Sequence, residues 1–160
     1  MRLRTTGETP IVTATAKYEN LSMVSAITNK GRVHWMIVDG TINADRFIEF
    51  LTGLCKDSRG KVFLILDNVK VHHSKPVEEW LSGKGKKIEV FFLPAYSLDL
   101  NPDEHLNADL KHGVGSKVPS RTKTKLQQSA MEHMTMFESK PERIRKYFMD
   151  PAIKYASVSY

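Results

Sequence analysis

The sequence lacks the features that would tie it to a membrane or to an oxidising compartment. Its 160 residues include a single cysteine, Cys55, which excludes an internal disulfide and any cysteine-based zinc site. No apolar run approaches the roughly 20 residues that a membrane span requires. The opening MRLRTTGETP is basic, but no apolar segment follows it, so no secretory signal is expected. Repeats and low-complexity tracts are missing. So is a G-x-x-x-x-G-K-[ST] loop, since Gly83 to Lys87 (GKGKK) departs from that pattern, and this excludes phosphate-loop nucleotide hydrolysis. What is present is ordinary for a globular protein: 41% hydrophobic and 26% charged residues, in a chain long enough for one compact domain. A reducing, cytoplasmic setting is the default expectation, with no membrane partner.

Charge of one sign is concentrated. The net charge is +6, and residues 1–110 hold 14 basic and 14 acidic side chains against 10 and 4 in residues 111–160. The whole excess therefore falls in the last third, where a polyanion partner or a merely solvated basic surface would both be consistent.

Hydrophobic spacing predicts an α/β order. LSMVSAIT (21–28) and VHWMIV (33–38) read as two strands joined by the turn Asn29, Lys30, Gly31. Asn43 is placed to cap a helix with Phe47, Phe50, Leu51 and Leu54 on one face. KVFLILD (61–67) is a continuous apolar run of strand length, as expected of a strand covered on both faces. Ser74 begins a short helix through Val77, Trp80 and Leu81, ending near Gly83, and IEVFFL (88–93) reads as another central strand stopped by Pro94. After the loop PAYSLDLNP, Asn101 caps a helix with Pro102 at its first position and Asp103 and Glu104 in its first turn. A helix carrying Leu126, Ala130, Met134 and Phe137 follows the break at 112–119. Ser139 to Glu142 (SKPE) reads as a capping box for a last helix with Ile144, Tyr147 and Phe148. The expected fold is a mixed sheet flanked by helices.

Asp67 ends the apolar strand, and in open α/β sheets ligands gather at the carboxyl ends of strands. The next strand leads to Glu104, and neighbouring strands lie only about 5 Å apart, so the two carboxylates are able to converge. Converging carboxylates without cysteine suit Mg²⁺ or Mn²⁺, with positions left for water and phosphate oxygens. Plainer readings stand beside this one. Asp67-Asn68 is equally an Asx-turn, the run from Asn101 to Glu104 is equally a capping box, and His72 and His73 either order the site or are solvated.

Taken jointly, LILDNVKVHHS (64–74) and FFLPAYSLDLNPDEHL (91–106) resemble the motifs of DDE transposases of the mariner-like superfamily, bacterial insertion-sequence type. GETP (7–10), LSMVSAIT and GTINADRFIEFL (40–51) are similar to the family as well. The resemblance implies a ribonuclease-H-like core in which divalent metal serves DNA strand cleavage and strand transfer. Asp67 then corresponds to the second acid and Glu104 to the third; both would be metal ligands, with Asn68, His72 and Asn101 supporting the site. It implies DNA, as transposon ends and target, for a partner, and a nucleoid association when DNA is bound. Lys111, Arg143 and Lys146 are the residues assigned to the DNA backbone.

Departures from the pattern carry expectations of their own. Leu98 stands where the family has proline, and Asn107 where tryptophan is common. The family's first acid precedes the segment matching GETP, and no acid occurs in residues 1–6. A truncated core over 1–112, lacking its first strand, with C-terminal basic helices over 113–160 packed on the same domain, is therefore expected, inactive alone. Two rivals follow: a non-catalytic fragment that binds DNA or joins a homo-oligomer or a full-length transposase, and a nuclease that recruits Asp39 or Asp103 as its missing ligand.

Overall fold

The computed structural model describes residues 10–18, 21–67, 70–94, 101–115, 123–151 and 153. Five strands form one sheet: β1 (Pro10–Tyr18), β2 (Leu21–Thr28), β3 (Val33–Asp39), β4 (Val62–Leu66) and β5 (Ile88–Phe92). Their order is β3-β2-β1-β4-β5. β2 runs antiparallel to both β1 and β3, whereas β1, β4 and β5 are mutually parallel, so every strand but β2 ends at the same pole.

The helices cover both faces. α1 (Ala44–Asp57) and α2 (Lys75–Ser82) share one core with Val24, Ala26, Leu64 and Leu66, into which α1 inserts Phe47, Phe50, Leu51 and Leu54. α3 (Asp103–Gly115), α4 (Lys123–Ser139) and α5 (Pro141–Tyr147) close the other face, packing Leu106, Leu110, Met134, Phe137 and Ile144 on Met23, Ile27 and Ile65. The period of two along β2 sends Val24 and Ala26 to the first core and Met23 and Ile27 to the second. All five residues of β4 are buried, as its unbroken apolar run predicts.

Local signals hold at most ends. The Asn43 side chain accepts from the Arg46 amide at 2.9 Å. Gly31 turns the β2–β3 hairpin at φ +91°, pressed so closely on Pro141 that a Cβ there would lie 2.4 Å from the Pro141 carbonyl oxygen.

Three expectations need correction. The sheet is not short of a strand at its centre, because Pro10–Tyr18 occupies that place, zipped to β2 from Ile11↔Thr28 to Tyr18↔Leu21 and to β4 from Pro10↔Phe63 to Thr13↔Leu66. β-Branched Ile11, Val12, Thr13 and Thr15 suit a strand, and Pro10 sits at its first position, where a missing donor is tolerated. β5 is an edge strand rather than a central one. Only Ile88 of its five residues is buried, and the exposed Phe92 reflects a single strand neighbour. Finally, Lys140 rather than Ser139 caps α5; the Ser139 hydroxyl donates back to the Met136 carbonyl at 2.7 Å and so finishes α4 instead.

Candidate active site

Asp67 follows β4 directly, and β5 continues alongside it, with the Leu93 amide donating to the Leu66 carbonyl at 2.7 Å. The apolar strand thus delivers a carboxylate on a side chain that is only 11% exposed. Burial pushes its pKa up to about 6, against a smaller opposing effect from a backbone hydrogen bond.

His72 is the next part of the site. It belongs to a 3-10 turn, Lys70–His73, and its ring is buried against Phe47 at a centroid distance of 4.6 Å. Nδ1 lies 2.9 Å from the Asp67 carbonyl oxygen, so Nδ1 carries the proton and donates it there. The same nitrogen is 3.3 Å from Asp67 Oδ1, but its hydrogen is directed at the carbonyl. Asp67 Oδ1 therefore has no hydrogen-bond partner among the described residues. Burial lowers the His72 pKa, with the Asp67 carbonyl opposing and the charge of His73 reinforcing, so the pair is a neutral imidazole beside a reluctant carboxylate rather than an ion pair. His73 turns the other way and stacks on exposed Phe92 at 4.2 Å.

Glu104 is the second residue of α3, the helix that follows β5. Its side chain, like that of Asp103, lies outside the described part, as do Asn68 and the segment 95–100 with Leu98. Asn101, two residues before α3, is 1% exposed. Asn107 is buried in α3 at 4% exposure with its Oδ1 unpaired among the described residues, a polar atom where the pattern favours a tryptophan. Asp39 ends β3 at the same pole but is exposed and paired with Lys123. Since β2 and β1 intervene before β4, about 14 Å separates it from Asp67 in the plane of the sheet, too far to share one ion.

The residues assigned to DNA are not alike. Lys111 and Lys146 are exposed. Arg143 instead holds α5 to α3, with Nε 2.8 Å and Nη2 2.5 Å from the two oxygens of Asp109. The Tyr147 hydroxyl donates to the same carboxylate. Burial would raise the Asp109 pKa, yet the hydrogen bonds from Arg143 and Tyr147 outweigh it and hold the carboxyl below its ordinary range. Sequence reasoning missed this node, although the i, i+4 spacing of Arg143 and Tyr147 marks one face of a helix.

The profile of the DDE superfamily endonucleases matches residues 3–127. No curated protein matches the chain. Among solved structures, the catalytic domain of Mos1 mariner transposase is similar at a TM-score of 0.64 and 17% identity, covering 94% of this chain and 83% of that one. The same domain with raltegravir and Mn gives 0.64 and 16% over 94% and 84%, and with raltegravir and Mg 0.63 and 17% over 94% and 84%. The fold is that of a ribonuclease-H-like transposase catalytic domain. With the profile spanning the sheet, α1 to α3 and both motif segments, the chain belongs to the DDE superfamily of endonucleases.

Proposed function

We propose that this domain acts on DNA by metal-dependent strand cleavage and strand transfer, with Asp67 and Glu104 holding Mg²⁺ or Mn²⁺. The observation that carries this is Asp67: a buried carboxylate whose Oδ1 has no hydrogen bond among the described residues and whose pKa is raised has an unmet demand for positive charge. A hard divalent cation meets that demand. Two such ions held by Asp67 and Glu104 would supply activation of the attacking oxygen of a phosphodiester exchange and stabilisation of the leaving one. The chain's own contributions are positional. His72 fixes the Asp67 backbone through the Nδ1–H bond and Phe47 fixes the His72 ring. Asn68, next after Asp67 in the sequence, and Asn101, three before Glu104, are the supporting groups. Lys111 and Lys146 contact the phosphate backbone, whereas Arg143 acts first as the tie to Asp109. Residues 113–160 work as a continuation of the 1–112 core, a reading supported by Met134, Phe137, Ile144 and Phe148 sharing a cluster with Met23 and Ile27 of β2.

A second reading has one observation in its favour. β1, the strand beside β4, reads PIVTATAKY and contains no acid. With two acids in place of the family's three, the domain would bind metal and DNA without cutting, as a regulatory partner in a homo-oligomer or with a complete transposase. The test is nicking of duplex DNA in Mn²⁺. Cleavage that vanishes in both Asp67→Ala and Glu104→Ala supports the enzyme; no cleavage by wild type that still binds DNA supports the regulator. Cleavage untouched by both substitutions contradicts either use of these acids.

A further inference from the structure

The parallel strands divide the molecule into two poles of different charge. The carboxyl pole carries Asp39, Asp67 and the start of α3. At the amino pole, three connections lie side by side: the β2–β3 turn, the segment from the end of α1 into β4, and the turn from α2 into β5. The Val62 amide donates to the Lys87 carbonyl at 2.8 Å, which joins the last two where β4 and β5 begin.

These three connections present Arg32, Lys56, Arg59, Lys84, Lys86 and Lys87, all exposed. None of the six forms an ion pair among the described residues. The two carboxylates in the same segments are engaged elsewhere, Asp57 with His34 at 3.1 Å and Glu89 with Lys61 at 3.3 Å. Lys84 is steadied over the Trp80 ring at 5.8 Å. Residues 1–110 carry no net charge as a whole, so the fold, not the composition, creates this patch. Gathering six unpaired cations at one end works against folding through mutual repulsion, and a polyanion relieves that repulsion.

We propose that the amino pole of the sheet is a second DNA-contacting surface, which takes the phosphate backbone of a duplex segment other than the one at Asp67. The five residues of β4 span about 16 Å between the two poles, and the helices close both faces between them. The lysines therefore stand well away from the carboxylates and serve affinity and the placement of a second duplex, not the reacting phosphate. This inference rests on the reading of DNA as the substrate.

The experiment is fluorescence anisotropy of a labelled duplex with the full chain in EDTA, over a range of salt, comparing wild type, Lys84→Gln/Lys86→Gln/Lys87→Gln and Lys111→Gln/Lys146→Gln, with thermal melting to confirm folding. Each lost phosphate contact lowers the slope of log K against log salt by about 0.9, so the triple variant is expected to lose roughly 2 to 3 from that slope while its melting temperature is unchanged or raised by the relief of repulsion. Its loss should add to that of the Lys111/Lys146 variant. Wild type that binds with a steep slope left unchanged in the triple variant overturns the second surface and leaves the DNA reading standing. Wild type without salt-dependent binding overturns both. Binding of polyglutamate that the triple variant loses while keeping its DNA slope assigns the pole to an acidic protein and likewise overturns the proposal.

Discussion

Replacing Asp67 by Asn removes the charge and keeps the shape, which isolates the cost of ionising a carboxylate at this buried strand end. The folded-state pKa is raised to about 6, so the fold favours the protonated acid. Its stabilising effect is fully present below the ordinary carboxyl pKa, near pH 4, and is lost as the pH rises through about 6. That rise, from near 4 to about 6, corresponds to about 2.7 kcal/mol, and allowing for partial solvent contact leaves about 1–2 kcal/mol. Urea unfolding in EDTA should therefore find Asp67→Asn more stable than wild type by that amount at pH 8, with the gap closing towards pH 4. Saturating Mg²⁺ should stabilise wild type at pH 8 and not the variant, because an ion that binds only the folded state adds RT ln(1 + [L]/Kd). Parallel pH profiles for the two proteins, or equal response to Mg²⁺, would refute the reasoning.

Three further perturbations probe the frame around the site. Phe47→Ala empties a fully buried position under His72 and should cost about 3–5 kcal/mol in chemical unfolding. Arg143→Ala strips Asp109 of a two-point partner and should cost about 1–2 kcal/mol at neutral pH; since the Asp109 pKa is held low, this loss should shrink as the pH falls below the ordinary carboxyl range, which unfolding at pH 3 and 7 would show. Gly31→Ala combines a left-handed backbone with a clash against Pro141, so a fall in melting temperature reflecting at least about 1 kcal/mol is expected.

The parts of the molecule legible in its sequence are those set by local pattern. The unbroken VFLIL run announced a doubly covered strand, the Phe47 to Leu54 spacing announced α1, and Asn43 announced its start. β1 was not legible. PIVTATAKY alternates small and polar residues without a strong apolar face, and its place in the sheet comes from pairing with β2 and with the distant β4, which no local window reveals. β5 reads as central because IEVFFL is apolar but for Glu89, yet edge position depends on strand order, and the exposure of Phe92 follows from that order.

Charge was the least legible feature of all. Counting put the basic surplus in the C-terminal third, but there Arg143 is used by Asp109, Lys123 by Asp39, and the Arg145 guanidinium by the Lys30 carbonyl. Lys111 and Lys146 stay exposed there, but a denser group of six cations without an ion pair among the described residues comes together at the amino pole, from segments far apart in the chain. At the candidate site, Asp67 and His72 lie only five residues apart, so their partnership was within reach of a local reading. What that reading lacked was the direction of the bond, to the carbonyl of Asp67 rather than to its carboxylate.

The most direct test of the central claim is calorimetric titration of Mn²⁺ into wild type, Asp67→Asn and Glu104→Gln at pH 7.5, with each variant confirmed as folded. Saturable binding by wild type, lost or weakened at least tenfold in each variant, is the expected result. Equal binding by all three proteins, or none by wild type, would contradict a metal centre built on these two acids.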